Sequence, residues 1–490
     1  MSELLKQARR YVEANMPAAD DERLPCYHVT GGVGWINDPN GFSVYKGEYH
    51  LFYQYHPYAK YWGPMHWGHV KSKDLIHWER LPVALAPDQP YDTFGVFSGS
   101  AVETPDGRHL LMYTGVHTGR EVDGTRYEIQ KQCIAIGDGV NYEKVSENPV
   151  IDDQLIPSGG SHRDFRDPKI WWEDGHYKAV VANRYPDGAG AVLLYESDDA
   201  IHWRFTGTPA VSGGRYGQMW ECPDLFRLDG ETVLIVSAFE LIETGLELLP
   251  GNGVLALIGD YDKENVKLTE KHVHAADYGL DFYAPTTMLT PDGRRVMIGW
   301  MQYWDSTKYP PKDLPFFGQL TVPRELRVSG GRLYQTPVRE LEAYRGEAVR
   351  FENIPINGEL TLPGVSGRCL DMTVTLHTGN DLQSFTMLLA ADDEHQTSVT
   401  FKAHDKTLTV DRTKSGYRAP VRQTRTLAIW PHGNELKIRV LLDRWSMELF
   451  LNDGEKAATF TLYTPQEARG ISFNAEGSAR MDVEKYDLVF

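Results

Sequence analysis

At 490 residues the chain exceeds one ordinary domain, and a prior of roughly 150 residues per domain allows two or three. Aromatic residues make up 11% of it and 45 glycines punctuate it, which excludes disorder and suits a turn-rich β protein with aromatic-lined sites. A formal net charge of -18 with no basic stripe excludes nucleic acid as a partner and disfavours polyanionic substrates.

Residues 1–24 open with Leu4, Leu5, Ala8, Tyr11 and Val12, the spacing of one helix face, behind Ser2 as a plausible N-cap. This is expected to be a short amphipathic helix, since the stretch lacks the continuous apolar core and cleavage site of a signal peptide. No apolar run reaches membrane-spanning length, so no membrane partner is expected. The four cysteines (Cys26, Cys133, Cys222, Cys369) form no C-x-x-C pair, which fits free thiols in a reducing, cytoplasmic setting.

Residues 25–340 read as short aromatic-rich strands broken by Gly, Pro, Asn and Asp, such as Glu48–Tyr55 and His109–Thr114. Within them Ser72-Lys73-Asp74-Leu75-Ile76-His77-Trp78 returns as Ser197-Asp198-Asp199-Ala200-Ile201-His202-Trp203, with a weaker Gly137-Asp138-Gly139-Val140-Asn141-Tyr142 between. A period of roughly 60 residues over about 310 predicts a propeller of about five blades. Repetition of the His-Trp pair assigns His77 and His202 to blade packing. Gly68 and Pro64 argue against a helix that would converge His66 and His69 on a metal, so no metal and no other cofactor is expected. Leu241–Asn252 reads equally as a loop rimming the site or a core hairpin. Residues 341–358 read as a linker. In 359–490, Leu436, Ile438, Val440 and Leu442 alternate with Lys437, Arg439 and Leu441, and Asn452-Asp453-Gly454 offers a hairpin turn. An antiparallel β-sandwich is expected there, so the fold class is all-β, and the sandwich is the expected surface for a homo-oligomer.

Three acids stand just before turn-locking prolines: Asp38 in Trp35-Ile36-Asn37-Asp38-Pro39-Asn40-Gly41, Asp167 in Phe165-Arg166-Asp167-Pro168, and Glu221 in Trp220-Glu221-Cys222-Pro223. The first strand of each propeller blade lines the central axis, so acids far apart in sequence can meet in one funnel. Glycoside hydrolysis with retention needs one carboxylate that attacks and one that donates a proton. Glu221, between an indole and a thiol, suits the donor; Asp167, beside Arg166, suits an acid that stays ionised.

Together with Phe97-Ser98-Gly99-Ser100, Trp62–His69, Asp281–Pro285, Leu320–Leu326 and Asp443–Glu448, these motifs resemble glycoside hydrolase family 32, the β-fructofuranosidases, over nearly the whole chain. The resemblance implies a five-bladed propeller followed by a β-sandwich. It implies Asp38 as nucleophile on the anomeric C2 of a terminal fructofuranosyl unit, Glu221 as acid and then base, and Asp167 as stabiliser of the oxocarbenium-like transition state. Arg166 would orient the carboxylates, and Asn37, Gln54, Trp62, Phe97, Ser98, Tyr283 and Trp300 would line the fructose pocket. Gln54 and Trp300 each lie in a strand, where core packing or sheet structure would also explain them. The implied substrate is sucrose or a short fructo-oligosaccharide. The alternatives are sucrose 6-phosphate, fructosyl transfer to another sugar, and a non-catalytic fructan-binding module, which would not need all three acids.

Overall fold

The computed structural model describes residues 1–417 and 419–490. Ser2 caps a helix over Glu3–Asn15, its hydroxyl accepting from the Leu5 amide at 3.2 Å. Leu5 and Ala8 are buried against blade I, while Leu4 faces solvent.

Five antiparallel four-stranded blades follow, four of them made from consecutive strands; the fifth is interrupted between its second and third strands by Phe316–Phe317, which joins the sheet of the first. Their inner strands are Gly34–Tyr45, Gly95–Glu103, Phe165–Glu173, Trp220–Leu228 and Tyr283–Leu289, in blades I to V. Phe316–Phe317 pairs in parallel with Gly34 and Trp35, closing the ring beside the first strand. The repeated motif is the outer hairpin of a blade. Asp74, Asp199 and Asp138 each take two backbone amides of that turn at 2.8–3.0 Å. Asp262 does the same in blade IV, where the surrounding sequence has drifted too far to show the repeat. His77 and His202 are exposed, so the packing belongs to the aspartate and the following tryptophan. His66 and His69 lie three apart on the strand His66–Ser72, which sends them to opposite faces of the sheet.

The expected linker is structured. A 3-10 turn over Arg339–Tyr344 leads into a strand, Arg345–Leu360, which pairs with the final strand, Gly470–Leu488. That strand exposes residues on both sides, so it lacks the clean apolar alternation that would reveal it. The final strand pairs with Ser384–Ala391 through its first half and with Leu370–Thr378 through its second. It thus ties together the two layers of a sandwich-like unit. Leu436, Ile438, Val440 and Leu442 enter the sandwich core, whereas Leu441 and Phe450 pack on the propeller. The Asn452-Asp453-Gly454 turn abuts the propeller so closely that a Cβ on Gly454, at φ 90°, would stand 2.1 Å from the Gln335 carbonyl oxygen.

Charge is buried in the seam between the two units. His28 is held through Nδ1 by Asp443 at 2.7 Å and through Nε2 by Glu448 at 2.8 Å. Glu448 also pairs with Arg324, which reaches Asp277 at 2.9 Å. Burial works against a charge on His28, yet the two carboxylates outweigh it and lift its pKa to about 9. The stretch Leu241–Asn252 is the turn of a blade IV hairpin: Leu241 pairs with Gly251, Thr244 bridges Leu248, and Leu241 and Leu248 are buried in the core. It leans on this seam, with Arg425 Nη2 donating to the carbonyl oxygen of Leu246 at 3.0 Å.

Candidate active site

Every inner strand breaks register at the same level: between Ile36 and Pro39, Phe97 and Gly99, Arg166 and Lys169, Glu221 and Asp224, and Tyr283 and Thr286. These are bulges, which re-aim side chains and leave one residue outside the ladder. Pro39, Pro168, Pro223 and Pro285 sit within or at the edge of four of them, where a missing N–H is tolerated. Asp167, Cys222 and Ala284 adopt φ of 62°, 47° and 49° there, a left-handed strain that persists only where the surroundings enforce it. The acid–proline motif is therefore the mark of a bulge at the mouth of the ring.

The bulges gather Asn37, Asp38, Phe97, Ser98, Arg166, Asp167 and Glu221 around one cavity of about 280 Å³, joined by Gln54 from the second strand of blade I and Trp62 from the loop after it. Glu128, Gln130, Arg163, Asp164 and Trp304 complete its wall. Ser98 Oγ donates to Asp38 Oδ2 at 2.6 Å, and Asn37 Nδ2 donates to Oδ1 at 3.0 Å. Asn37 is itself fixed by Trp35 Nε1 at 2.8 Å. Cys222 bridges two acids: its Sγ lies 3.7 Å from both Asp38 Oδ2 and Asp167 Oδ2, and its amide donates to the latter at 3.0 Å. Glu221 receives Arg166 Nε on Oε1 at 2.8 Å and the Tyr283 hydroxyl on Oε2 at 2.9 Å.

Burial, reinforced by the Glu221 charge, raises the Asp38 pKa to about 6; the bonds from Ser98 and Asn37 restrain the rise. Asp167 is pushed up for the same two reasons, against the pull of Arg166. This corrects one expectation. Adjacency had paired Arg166 with Asp167, but across a bulge neighbours project differently, and the guanidinium bonds to Glu221 and, at 3.2 Å, to Asp164.

Two of the expected pocket residues stand behind the wall. Tyr283 is buried and reaches the cavity only through its bond to Glu221. Trp300 is fully buried against Trp35 and Trp304, at ring separations of 5.8 and 5.1 Å, so it is core. Trp304 is the tryptophan at the pocket, and nothing in Gln302-Tyr303-Trp304-Asp305 marked it. Gln54 does line the cavity, its Nε2 held by the Val96 carbonyl at 2.9 Å. Thr114 was also silent in sequence; its Oγ1 accepts the Asp167 amide at 2.9 Å. A larger cavity, about 660 Å³, opens at the opposite mouth of the ring. Its interior carries the Lys169–Asp224 pair at 3.1 Å and none of the three acids, so volume is a poor guide here.

Three carboxylates and one guanidinium on bulged inner strands of a five-bladed propeller define a glycoside hydrolase site of the paired-acid kind. Residues 28–337 match the glycosyl hydrolases family 32 N-terminal domain and residues 340–488 the family's C-terminal domain, so the chain belongs to glycoside hydrolase family 32. It is 35% identical to a raffinose invertase of Escherichia coli, over 98% of both chains. It is 33% identical to a sucrose-6-phosphate hydrolase of Zymomonas mobilis, over 98% of this chain and 94% of the other. A family 32 β-fructofuranosidase of Bombyx mori superposes with a TM-score of 0.85 at 32% identity, covering 99% of this chain and 98% of that one.

Proposed function

We propose that the chain is a retaining β-fructofuranosidase acting on sucrose and short fructo-oligosaccharides in the cytoplasm. The observation that carries this reading is the convergence of Asp38, Asp167 and Glu221 on one cavity, with Cys222 touching two of them and Arg166 the third. In the first displacement an Asp38 oxygen bonds to the anomeric C2 as the C2–O bond to the leaving sugar breaks, and Glu221 gives its proton to the departing oxygen. In the second, Glu221 takes a proton from water as the water oxygen bonds to C2 and the C2–O(Asp38) bond breaks, restoring both groups with net retention. Asp167 faces the developing positive charge on the ring. Asn37 and Gln54 read hydroxyls, and Trp62 and Phe97 cover the C–H surface.

A neutral leaving group suits the pocket better than a phosphorylated one. Its wall holds five carboxylates, on Asp38, Glu128, Asp164, Asp167 and Glu221, against the two cations Arg163 and Arg166. Both cations are already committed, Arg163 to Glu121 and Arg166 to Glu221 and Asp164. A phosphate would meet a surplus of negative charge. The test is fructose release from sucrose and from sucrose 6-phosphate by the wild type and by Asp38→Ala. Release from sucrose, a lower kcat/KM on the phosphorylated sugar, and a loss in the variant of about 10⁴-fold or more are expected, the scale on which losing a catalytic carboxylate or its partners is felt. A folded wild type that releases fructose from neither sugar nor from longer fructans would leave only the binding module.

A further inference from the structure

Among the described residues the second domain contributes nothing to the cavity wall, yet it holds the turn that carries one wall residue. Trp304 opens the 3-10 turn Trp304–Lys308, which has no side-chain cap of its own. Ser306 Oγ, inside the turn, donates to Gln302 Oε1 at 2.7 Å. The other end of that amide, Gln302 Nε2, donates to the hydroxyl of Tyr463 at 2.8 Å. Gln302 is 1% exposed, so both ends of its amide depend on these partners. Tyr463 follows the strand Lys456–Thr461 of the second domain and stands in the seam beside Tyr417, whose hydroxyl donates to the Tyr309 carbonyl just past the turn at 3.1 Å.

From these contacts we infer that Tyr463 is a positioning residue for the sugar pocket, acting through the Gln302 amide on the turn that bears Trp304. The effect has a route to the acids as well. The Trp304 ring packs against Tyr283 at 6.4 Å, edge to face, and the Tyr283 hydroxyl holds Glu221. Rotation of the Gln302 amide would leave Ser306 Oγ with only its local acceptor, the Tyr303 carbonyl at 2.7 Å, let the turn relax, and widen the cavity on the Trp304 side. The sandwich would then set the shape of a site it never touches. The kinetic part of this inference rests on the fructosidase reading; the structural part does not.

The test is Tyr463→Phe in the full chain, which keeps the ring and removes the hydroxyl. The expected result is a rise in KM for sucrose of about three- to tenfold, the range of one neutral hydrogen bond, with kcat changed less than KM. Amide hydrogen exchange over 302–309 should quicken. Adding Tyr463→Phe to Gln302→Met should do no further harm, because both act through one contact. Arg425→Met, elsewhere in the seam, controls for loosening of the domains; it should lower Tm and leave KM in place. An unchanged KM with unchanged exchange over 302–309 would overturn the proposal, as would an equal KM change in Arg425→Met. Should the wild type cleave no fructoside, the fructosidase reading fails, and exchange over 302–309 still decides the role of Tyr463.

Discussion

Ser98→Ala removes the shortest bond to the proposed nucleophile while leaving the backbone of the blade II strand intact. The Ser98 hydroxyl donates to Asp38 Oδ2 at 2.6 Å, and nothing equivalent replaces it: Asn37 serves the other oxygen, and the Cys222 thiol stands back at 3.7 Å. A hydrogen bond to a charged group contributes about 1.5–3 kcal/mol, and about 1.4 kcal/mol corresponds to one pKa unit. Water entering the vacated space returns part of this, so the Asp38 pKa should climb by about one unit from its value of about 6. Ionised Asp38 is the attacking form, so the acid limb of kcat/KM should move upward by the same amount. At pH 5 the variant should lose about tenfold in kcat/KM relative to wild type beyond any loss seen at pH 8. The assay is initial-rate fructose release from sucrose between pH 4 and 9. An acid limb that stays in place while the whole profile drops would refute the reasoning, because Ser98 would then be reading a sugar hydroxyl and not holding Asp38 ionised.

The same shift has a consequence for stability. A carboxylate whose folded pKa is raised contributes stability that is present below 3.8 and lost as pH rises through about 6. Asp38→Asn should therefore stabilise the fold by up to about 3 kcal/mol at pH 7.5 and not at all near pH 3.5, which thermal melts at the two pH values will check. His28→Gln should cost about 3 kcal/mol at pH 7, because it leaves Asp443 and Glu448 buried without their shared cation. The His28 contribution is whole below pH 6.5 and fades as pH rises through about 9, so the difference between the wild-type and variant melting temperatures should narrow from pH 7 to 10. A constant gap would place His28 as a neutral packing residue.

What could be read from the sequence followed local rules. Hairpins announce themselves because one aspartate must satisfy two turn amides, so Asp74, Asp138 and Asp199 exposed the blade period. The acids were legible because a bulge accommodates proline, and proline next to a carboxylate is easily seen. Asp262 escaped, since its turn kept the aspartate and lost the flanking Ser and Trp. The charge assignment failed at Arg166 because neighbours in sequence are not neighbours across a bulge. Trp300 and Trp304 could not be told apart, since both pack against Trp35 and only the three-dimensional path of the chain decides that Trp304 reaches the cavity while Trp300 stays buried. Partners such as Thr114 and Tyr463 leave no trace: each contact joins residues from different blades or domains, and no periodicity encodes it.

The ring closure has a consequence for how the protein is made. Gly34 and Trp35 gain their inner neighbour from Phe316 and Phe317, and the Val29 carbonyl waits for the Leu320 amide. On a ribosome, the strand bearing Asp38 emerges ahead of the other inner strands and is hemmed in only when nearly the whole propeller has followed. His28, just ahead of it, waits longer still for carboxylates at 443 and 448. Vectorial synthesis thus closes the ring around the nucleophile only with the fifth blade, and a chain cut there would leave His28 without Asp443 and Glu448, and Arg324 without Glu448. The catalytic ring is not a part that can be taken out and kept. Its latch lies in the second domain.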